Sequence, residues 1–458
     1  MEKEAAVDIR EEKLPLKNKI GYMCSGMGNF FSMILQTFVL YYATESLGVT
    51  MAAVSAMIVI VKVLDGFTDV ICGVIIDKTK SKKGKARPWL LRMAIPYPLC
   101  MALIFFVPES WGATAQILAL GALYALTVSI FGTLVGVARV AILPRMTFNP
   151  KEQGVMATLN DGASTIMASL IMTITVPLAT RFSYAAVFVV YSLFACVMCI
   201  AAYALTKERD DIIESEMKPQ NQLTIKQLLK ALFTNKYALF LLIYMLLLNF
   251  SVGFLNSSGL YYTTYVCGDV NLFSTAMGFN TISTIIGVVI GVPLVSKIGS
   301  KKMFTMCTSV PVITYAILWA LQGNNPTAIV VCITINGFFL ACAPAQMIAI
   351  SAGVVDYGEW KSGKRTEGVT SAVVNVGIKI GSALATAVIG FIMTYGGFVS
   401  GAEVQTASAL KSISFSFAGM PTIFYAFLTI FFLLTYRLEK QRAQIQQDLI
   451  DRRGELED

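Results

Sequence analysis

The feature that most constrains this chain is a series of apolar segments of membrane-spanning length, which recur from one end of the sequence to the other. A helix that crosses a bilayer needs about 20 predominantly apolar residues, and about twelve such segments can be counted. Of the 458 residues, 56% are hydrophobic and 14% are charged, well below the charged fraction of about 25% in a soluble domain. The sequence therefore predicts an all-α membrane protein with twelve transmembrane helices.

The longest polar stretch inside the chain follows the sixth apolar segment and separates two sets of six. We expect an N-terminal six-helix bundle in residues 1–206, a cytoplasmic linker in 207–235, a C-terminal six-helix bundle in 236–437 and a solvated cytoplasmic tail in 438–458. The predicted spans are 19–45, 51–77, 88–107, 113–143, 154–180, 183–206, 236–265, 270–297, 301–322, 326–356, 367–397 and 409–436.

Lysine and arginine residues are concentrated in alternate loops, as in the run from Lys78 to Arg87 and in the central linker. By the positive-inside rule, we expect both termini to be cytoplasmic. The membrane that the chain spans would be the inner or plasma membrane of the cell. The net charge of +8 reflects these loops, so no nucleic-acid partner is expected. The sequence has no histidine and no clustered nucleophile–base set, which argues against an enzyme and against a cofactor.

Three ionisable residues, Lys62, Asp65 and Asp69, interrupt the apolar second span. Their spacings of three and four place them on one face of a helix. Each costs about 2.5–3.5 kcal/mol at bilayer depth, and the usual reason for keeping such residues is an ion pathway. The alternative is a self-neutralising structural cluster, which pairs Lys62 with one aspartate and leaves the other carboxylate unpaired.

Two aspartates and a hydroxyl such as that of Thr133 in the fourth span would form a hard oxygen site for Na⁺. Two carboxylates held close together cannot both stay charged without a cation, so the pair binds a metal ion or a proton. Lys379, in the eleventh span with Asn375 one turn before it, would compensate the charge when the cation is absent. For Thr133 the alternative is a hydroxyl bonded to its own helix backbone.

These residues and motifs resemble the glycoside–pentoside–hexuronide:cation symporters, the melibiose-permease-like branch of the major facilitator superfamily. The resemblance implies the major facilitator fold and secondary active, Na⁺- or H⁺-coupled symport of a small polar solute (a sugar, glycoside or hexuronide) by alternating access, in a chain that functions as a monomer in the bilayer. The matching motifs are KVLDGFTDVICGVIIDKTKSKKGKARPW (62–89), ILP (142–144), DYGEWKSGKRTEG (356–368) and KIGSA (379–383).

The resemblance also assigns roles to single residues. It implies that Asp65 and Asp69 bind the cation (Na⁺ if the carrier is sodium-coupled), with Thr68 and Thr133 as further members of the cation site. It implies charge coupling by Lys62, Lys379 and Asn375. It implies a cytoplasmic gating motif formed by Gly73, Asp77, Lys78, Asp356, Tyr357, Gly358, Glu359 and Arg365.

The positions at which relatives hold sugar are not retained. The acidic positions of the first and fourth spans fall on Asn29 or Phe30 and on Gly136, the arginine position falls on Asp161, and a tryptophan position falls on Val140. One interpretation is that the sugar is held differently, and the other is a cation-coupled or facilitative transporter of a non-sugar solute. The substrate-site residues predicted on this basis are Asn29, Gln36, Arg139, Asp161, Asn256 and Gln346.

Two of these residues have alternative interpretations that the sequence leaves open. Arg139 would be a counter-charge for an acidic solute such as a hexuronide, or it would extend to the cytoplasmic interface of the membrane. Asp161 would accept hydrogen bonds from solute hydroxyls, or it would cap the start of the fifth span.

Overall fold

The computed structural model describes residues 13–81, 83–209, 235–362, 367–436 and 438–454, and within these ranges the regular structure is helical, with no strand. The helices are α1 Leu16–Ser46, α2 Met51–Asp77, α3 Arg87–Phe106, α4 Ala113–Met146, α5 Pro150–Phe182, α6 Tyr184–Leu205, α7 Lys236–Val266, α8 Asn271–Ile298, α9 Ser300–Leu321, α10 Pro326–Ser362, α11 Glu367–Tyr395, α12 Ala407–Thr435 and α13 Leu438–Gly454.

The described helices account for the predicted membrane spans. Ten of them, within the described ranges, are long and apolar enough to cross a bilayer. Of the helices α1 to α12, the other two are α2, which is 27 residues long and carries the ionisable residues of the second span, and α10, whose first part, Pro326–Cys342, is apolar. Each predicted span coincides with one of the helices α1 to α12, which follows from the strength of the hydrophobic signal.

The chain divides into two compact units. One comprises Met1–Gln220 with Val399–Glu403, and the other comprises Asn221–Phe398 with Val404–Asp458. The helices of the two units pair in the same way: α1 packs on α5 and α2 on α4 in the first, whereas α7 packs on α11 and α8 on α10 in the second. Internally repeated bundles of this kind are typical of secondary transporters.

The ends of α1 and α7 show the repeat in atomic detail. Residues 40–48 (LYYATESLG) and 260–268 (LYYTTYVCG) each form a short π-helical turn, Tyr42–Ser46 and Tyr262–Val266. Each turn closes at a glycine with positive φ, 68° at Gly48 and 71° at Gly268. Since only glycine adopts this conformation without strain, the two segments end their helices by the same device.

The C-terminal helix α13 is docked on its unit rather than solvated. Leu438, Ile445 and Leu449 are buried, and the Trp360 indole in α10 donates a hydrogen bond to Asp448 Oδ2 at 2.8 Å. The prediction of a solvated tail is therefore wrong for residues 438–454. These three buried residues recur at intervals of seven and four, which is helical periodicity, and form one stripe that the polar composition of the segment conceals.

We expect Asp448→Ala to weaken this docking, because it leaves the Trp360 N–H without its carboxylate. Loss of a hydrogen bond worth about 1–1.5 kcal/mol raises the undocked population roughly five- to tenfold, and proteolysis follows that population. Tryptic cleavage within α13 of the membrane-embedded protein should accelerate by this factor. Asp451→Ala is the matched control, since Asp451 accepts a hydrogen bond from Gln447 of the same helix. Equal cleavage rates in wild type and Asp448→Ala would contradict the docking role.

Candidate functional site

The polar face of α2 lies within the first unit. Lys62, Asp65, Thr68 and Asp69 are half-buried, and the three ionisable side chains all have interaction partners. Apolar residues next to them in the sequence are exposed on the protein surface: Val63, Phe67, Val70 and Ile71. One helix thus presents an apolar surface and a polar face, as the spacing in the sequence predicts.

The structure brings Asp65 and Thr133 together. The Thr133 hydroxyl donates to Asp65 Oδ1 at 2.8 Å, and it also lies 3.1 Å from the Val128 carbonyl oxygen of its own helix. The hydroxyl therefore has a carboxylate and a backbone carbonyl as alternative acceptors. If a cation bound the Asp65 carboxylate, the Thr133 hydroxyl could donate to the Val128 carbonyl and turn an oxygen lone pair towards the ion.

Thr68 and Asp69 lie three and four residues after Asp65 on the same face of α2 and carry further oxygen atoms. The Thr68 hydroxyl donates to the backbone carbonyl of Asp65 at 3.1 Å, which leaves its own oxygen as an acceptor. Asp69 lies one turn beyond Asp65 on the same face. Carboxylate and hydroxyl oxygens are the ligands of hard cations, so this donor set suits Na⁺. Groups of three or more His, Cys, Asp or Glu that could hold a metal ion are absent from the described part of the chain.

Two further residues of α4 face this region and were not singled out by the sequence. The Ser129 hydroxyl donates to the Val61 carbonyl of α2 at 3.0 Å. Tyr124 is fully buried near Asp65, and its hydroxyl has no hydrogen-bond partner among the described residues. Both lie in the polar, aromatic stretch of the fourth span, and this polarity was the available signal.

A second polar cluster joins α4, α5 and α1. Arg139 donates through Nη1 to Asn160 Oδ1 at 2.5 Å, and the same nitrogen lies 3.5 Å from Asp161 Oδ1. Asn160, only 1% exposed, donates in turn to the Tyr22 carbonyl at 2.6 Å. The Arg139 side chain therefore turns into the protein, contrary to the alternative in which it extends to the membrane interface.

Asn29 of α1 lies beside this cluster. Its Oδ1 is buried and has no hydrogen-bond partner among the described residues, and a Cβ atom at Gly136 would be 3.3 Å from its Nδ2. The first- and fourth-span positions that the resemblance aligns with sugar-holding residues are thus neighbours here, although both residues are uncharged. A buried amide oxygen without a partner is costly, and a solute hydroxyl would satisfy it.

Asp161 does not cap the fifth span. The helix α5 begins at Pro150, about three turns before Asp161, so the capping interpretation is wrong. The Asp161 side chain is 76% exposed although it stands well inside a membrane helix. A carboxylate at such a depth is tolerated towards a water-filled space and not towards lipid, which favours a position on the solute pathway.

We expect Asp161→Ala to raise the half-saturation concentration for solute about ten- to a hundredfold. The reason is that hydrogen bonds to a charged group contribute about 1.5–3 kcal/mol. Asp161→Asn keeps an acceptor without the charge and should show a smaller increase. The dependence of uptake on cation should be preserved in both variants. An unchanged solute half-saturation in Asp161→Ala would exclude the residue from the solute site.

Glu208, which the sequence analysis missed, organises the loop after α2. Its carboxylate accepts hydrogen bonds from the backbone N–H groups of Lys85, Ala86 and Arg87, at 3.1, 2.9 and 2.6 Å. It is 2% exposed. Gly84, with φ at 97°, leaves the space that the carboxylate occupies, because a Cβ there would overlap it. The side chain thus caps the start of α3.

Arg145, at the end of α4, connects this loop to the predicted gating motif. Its guanidinium lies 4.0 Å from Asp77 Oδ1 and 4.0 Å from Glu208 Oε2. Lys78 is exposed at the end of α2, and a Cβ at Gly73 would meet nothing within 4 Å. Electrostatic contacts of Arg145 therefore connect the second-span half of the predicted gating motif to α4 and to the residues that follow α6.

Most of the remaining predicted residues belong to the second unit, and two of them lie partly or wholly outside the described residues. Tyr357 packs edge-on against Tyr237 with ring centroids 4.8 Å apart. In the second unit Asp356, Glu359, Lys379 and Asn256 are half-buried, Gly358 is buried and Asn375 is exposed, whereas Gln36 of the first unit is buried. Arg365 and the Gln346 side chain lie outside the described residues. The pairing of Lys379 with the aspartates stays a prediction.

Comparison with known proteins gives a consistent result. The family model described as MFS/sugar transport protein matches residues 21–440. The isoprimeverose transporter of Lactiplantibacillus pentosus is 27% identical over 454 residues, which cover 96% of this chain and 92% of that protein. The putative glycoside/cation symporter YagG of Escherichia coli (strain K12) is 25% identical over 456 residues, which cover 96% of each.

Among solved structures, a bacterial homologue of the human lysosomal transporter Spinster, in an inward-facing and unoccupied conformation, superposes with a TM-score of 0.70. Its sequence is 12% identical, and the match covers 94% of this chain and 99% of that one, so it supports the fold alone. The family match covers most of the chain and confirms the resemblance carried by the second-span and DYGEW motifs. The chain belongs to the MFS/sugar transport protein family and is a multi-pass membrane transporter.

Proposed function

We propose that this protein carries a sugar or glycoside across the membrane together with Na⁺ or H⁺, and that Asp65, Asp69, Thr68 and Thr133 form the cation site. The observation that carries the proposal is the 2.8 Å contact between Thr133 and Asp65, one turn from a second carboxylate within a membrane helix. No cofactor other than the coupling ion is required. We further propose that the chain functions as a monomer and that both termini lie in the cytoplasm. The distribution of basic loops supports the second of these statements.

The coupling follows from charge. Cation binding neutralises the carboxylate pair, and a solute that binds better to the neutralised carrier raises the affinity for the cation by the same factor. Lys379 would replace the cation as counter-charge in the empty carrier. The carrier would alternate between states open to either side of the membrane, as transporters with repeated bundles do.

The solute site that we propose in the first unit comprises Asn29, Arg139, Asn160 and Asp161. Carboxylate, amide and guanidinium groups suit a polyhydroxylated solute, because they supply both acceptors and donors. Arg139 favours a second candidate, a solute with an acidic group, since guanidinium pairs with carboxylate in a bidentate manner. Such a solute would take Arg139 from Asp161.

Uptake by proteoliposomes tests the proposal. The purified chain should accumulate at least one member of a panel of glycosides, pentoses and uronic acids when an inward Na⁺ or H⁺ gradient is imposed. Parallel vesicles with K⁺ on both sides at equal pH should only equilibrate the solute. Equal accumulation with and without both gradients would refute cation coupling, and uptake restricted to non-sugar solutes would establish the alternative.

A further inference from the structure

We propose that Ser129 is a positioning residue of the cation site, which holds in place the turn of α2 that carries Asp65. The proposal rests on the function proposed above for Asp65 and Thr133, and it assigns a role to a residue that does not itself touch the cation.

The contact that supports this role involves a shared acceptor. Ser129 donates to the Val61 carbonyl oxygen at 3.0 Å. In the continuous helix α2, the Asp65 N–H donates to the same carbonyl, because α-helical hydrogen bonds join residue i to residue i−4. The Ser129 hydroxyl and the Asp65 amide therefore meet at one oxygen atom, and a displacement of α4 at Ser129 acts directly on the backbone of Asp65.

The two contacts between α4 and α2 are in register. Ser129–Val61 and Thr133–Asp65 are both separated by 68 residues in the sequence, so the contacts follow one another at an interval of four residues on both helices. One hydrogen bond would leave α2 able to rotate about it. Two contacts, one turn apart, fix the rotation of α2 and with it the direction of the Asp65 carboxylate.

Ser129 departs from the ordinary behaviour of hydroxyls in membrane helices. Two residues earlier, the Thr127 hydroxyl donates to the Leu123 carbonyl of its own helix at 2.7 Å, which is the usual arrangement. Ser129 instead donates to another helix, and it does so from the π-helical segment Leu126–Gly132. Such segments occur frequently at functional sites. Ser129 is 1% exposed, so water does not compete for the contact.

The alternative role is purely structural, in which the Ser129 hydroxyl only holds two helices together. The two roles differ in what they do to cation affinity. A structural bond stabilises the carrier equally with and without cation, whereas a positioning bond increases the affinity of the site. Because a ligand stabilises the native state according to its concentration relative to its dissociation constant, thermal unfolding at increasing cation concentration measures this affinity.

The experiment compares wild type, Ser129→Ala and the control Thr127→Val as purified full-length proteins in detergent. The unfolding temperature is recorded against Na⁺ concentration at alkaline pH and against pH without Na⁺. We expect Ser129→Ala to need about three- to tenfold more Na⁺ for the same stabilisation. If the proton is the coupling ion, the pH midpoint should fall by about 0.5–1 unit. Thr127→Val should retain the wild-type midpoint.

The outcomes distinguish a failure of the positioning role of Ser129 from a failure of the proposed cation site. A wild-type midpoint in Ser129→Ala, whatever the change in its cation-free unfolding temperature, would overturn the positioning role. Asp65→Asn is measured in parallel and should lose the cation response. If wild type responds neither to Na⁺ nor to pH, or if Asp65→Asn responds as wild type does, the cation site itself is misassigned, which is a different result.

Discussion

Asp65→Asn and Asp69→Asn are each expected to abolish cation-driven accumulation of solute. Either change removes one of two carboxylates that lie one turn apart on the half-buried face of α2. Unlike a carboxylate, an asparagine amide neither takes up the coupling proton nor supplies negative charge to Na⁺. The site therefore loses half of the charge that attracts the cation. Without cation binding, the solute concentration inside the vesicle cannot rise above the concentration outside.

Two measurements separate this effect from a loss of folded protein. Exchange of labelled for unlabelled solute at equal concentrations needs a folded carrier and no ion gradient, and it should persist in at least one of the two variants. Ser55→Ala, a change of a buried hydroxyl in the same helix, should retain full accumulation. Accumulation at the wild-type level in both aspartate variants would remove Asp65 and Asp69 from the cation site.

Glu208→Ala is expected to destabilise the protein by about 3–5 kcal/mol, as loss of one partner from a buried charged pair does. The change leaves three backbone N–H groups at the start of α3 without their acceptor, and it removes the carboxylate next to the buried Arg145. A loss of this size is a large share of a total stability of about 5–15 kcal/mol. We expect a marked fall in the unfolding temperature of the purified protein.

Glu109→Ala is the control, because Glu109 is also an acidic residue but lies exposed in a loop. Its unfolding temperature should equal that of wild type. Glu208→Gln should fall between the two, since its amide oxygen still accepts from one or two N–H groups while the charge is lost. A Glu208→Ala protein as stable as Glu109→Ala would show that the loop does not depend on the cap.

The sequence predicted the helices and the contact at Asp65 for related reasons. Apolar segments of about 20 residues have few alternatives to a membrane span, so the positions of α1 to α12 could be predicted from the sequence. The spacing of Lys62, Asp65 and Asp69 fixes their common helix face, which is a local property. Thr133 was suggested as the hydroxyl of the cation site by ligand chemistry and assigned to it by the family resemblance, with a hydroxyl bonded to its own backbone as the alternative. The structure shows both contacts, with Asp65 Oδ1 and with the Val128 carbonyl.

Contacts that depend on tertiary structure could not be predicted from the sequence. Glu208 stands among other charges at the end of the sixth span, and nothing in that run indicates that it caps a loop more than 120 residues earlier. The pairing of Arg139 with Asn160 also required the packing of α4 on α5. For Asp161 a local signal existed and was overlooked: Asn149 followed by Pro150 is a common helix start, which places Asp161 inside the helix.

The docked helix α13 has a consequence for biosynthesis. Trp360 and its partner Asp448 are 88 residues apart in the sequence, and at about 5–20 residues per second the ribosome needs roughly 4–18 s to pass from one to the other. During this interval the Asp448 carboxylate is not yet available to the Trp360 indole. A chain that terminates before α13 would keep this part of the α10 surface uncovered, so the docking of α13 distinguishes chains that contain this helix from chains that lack it.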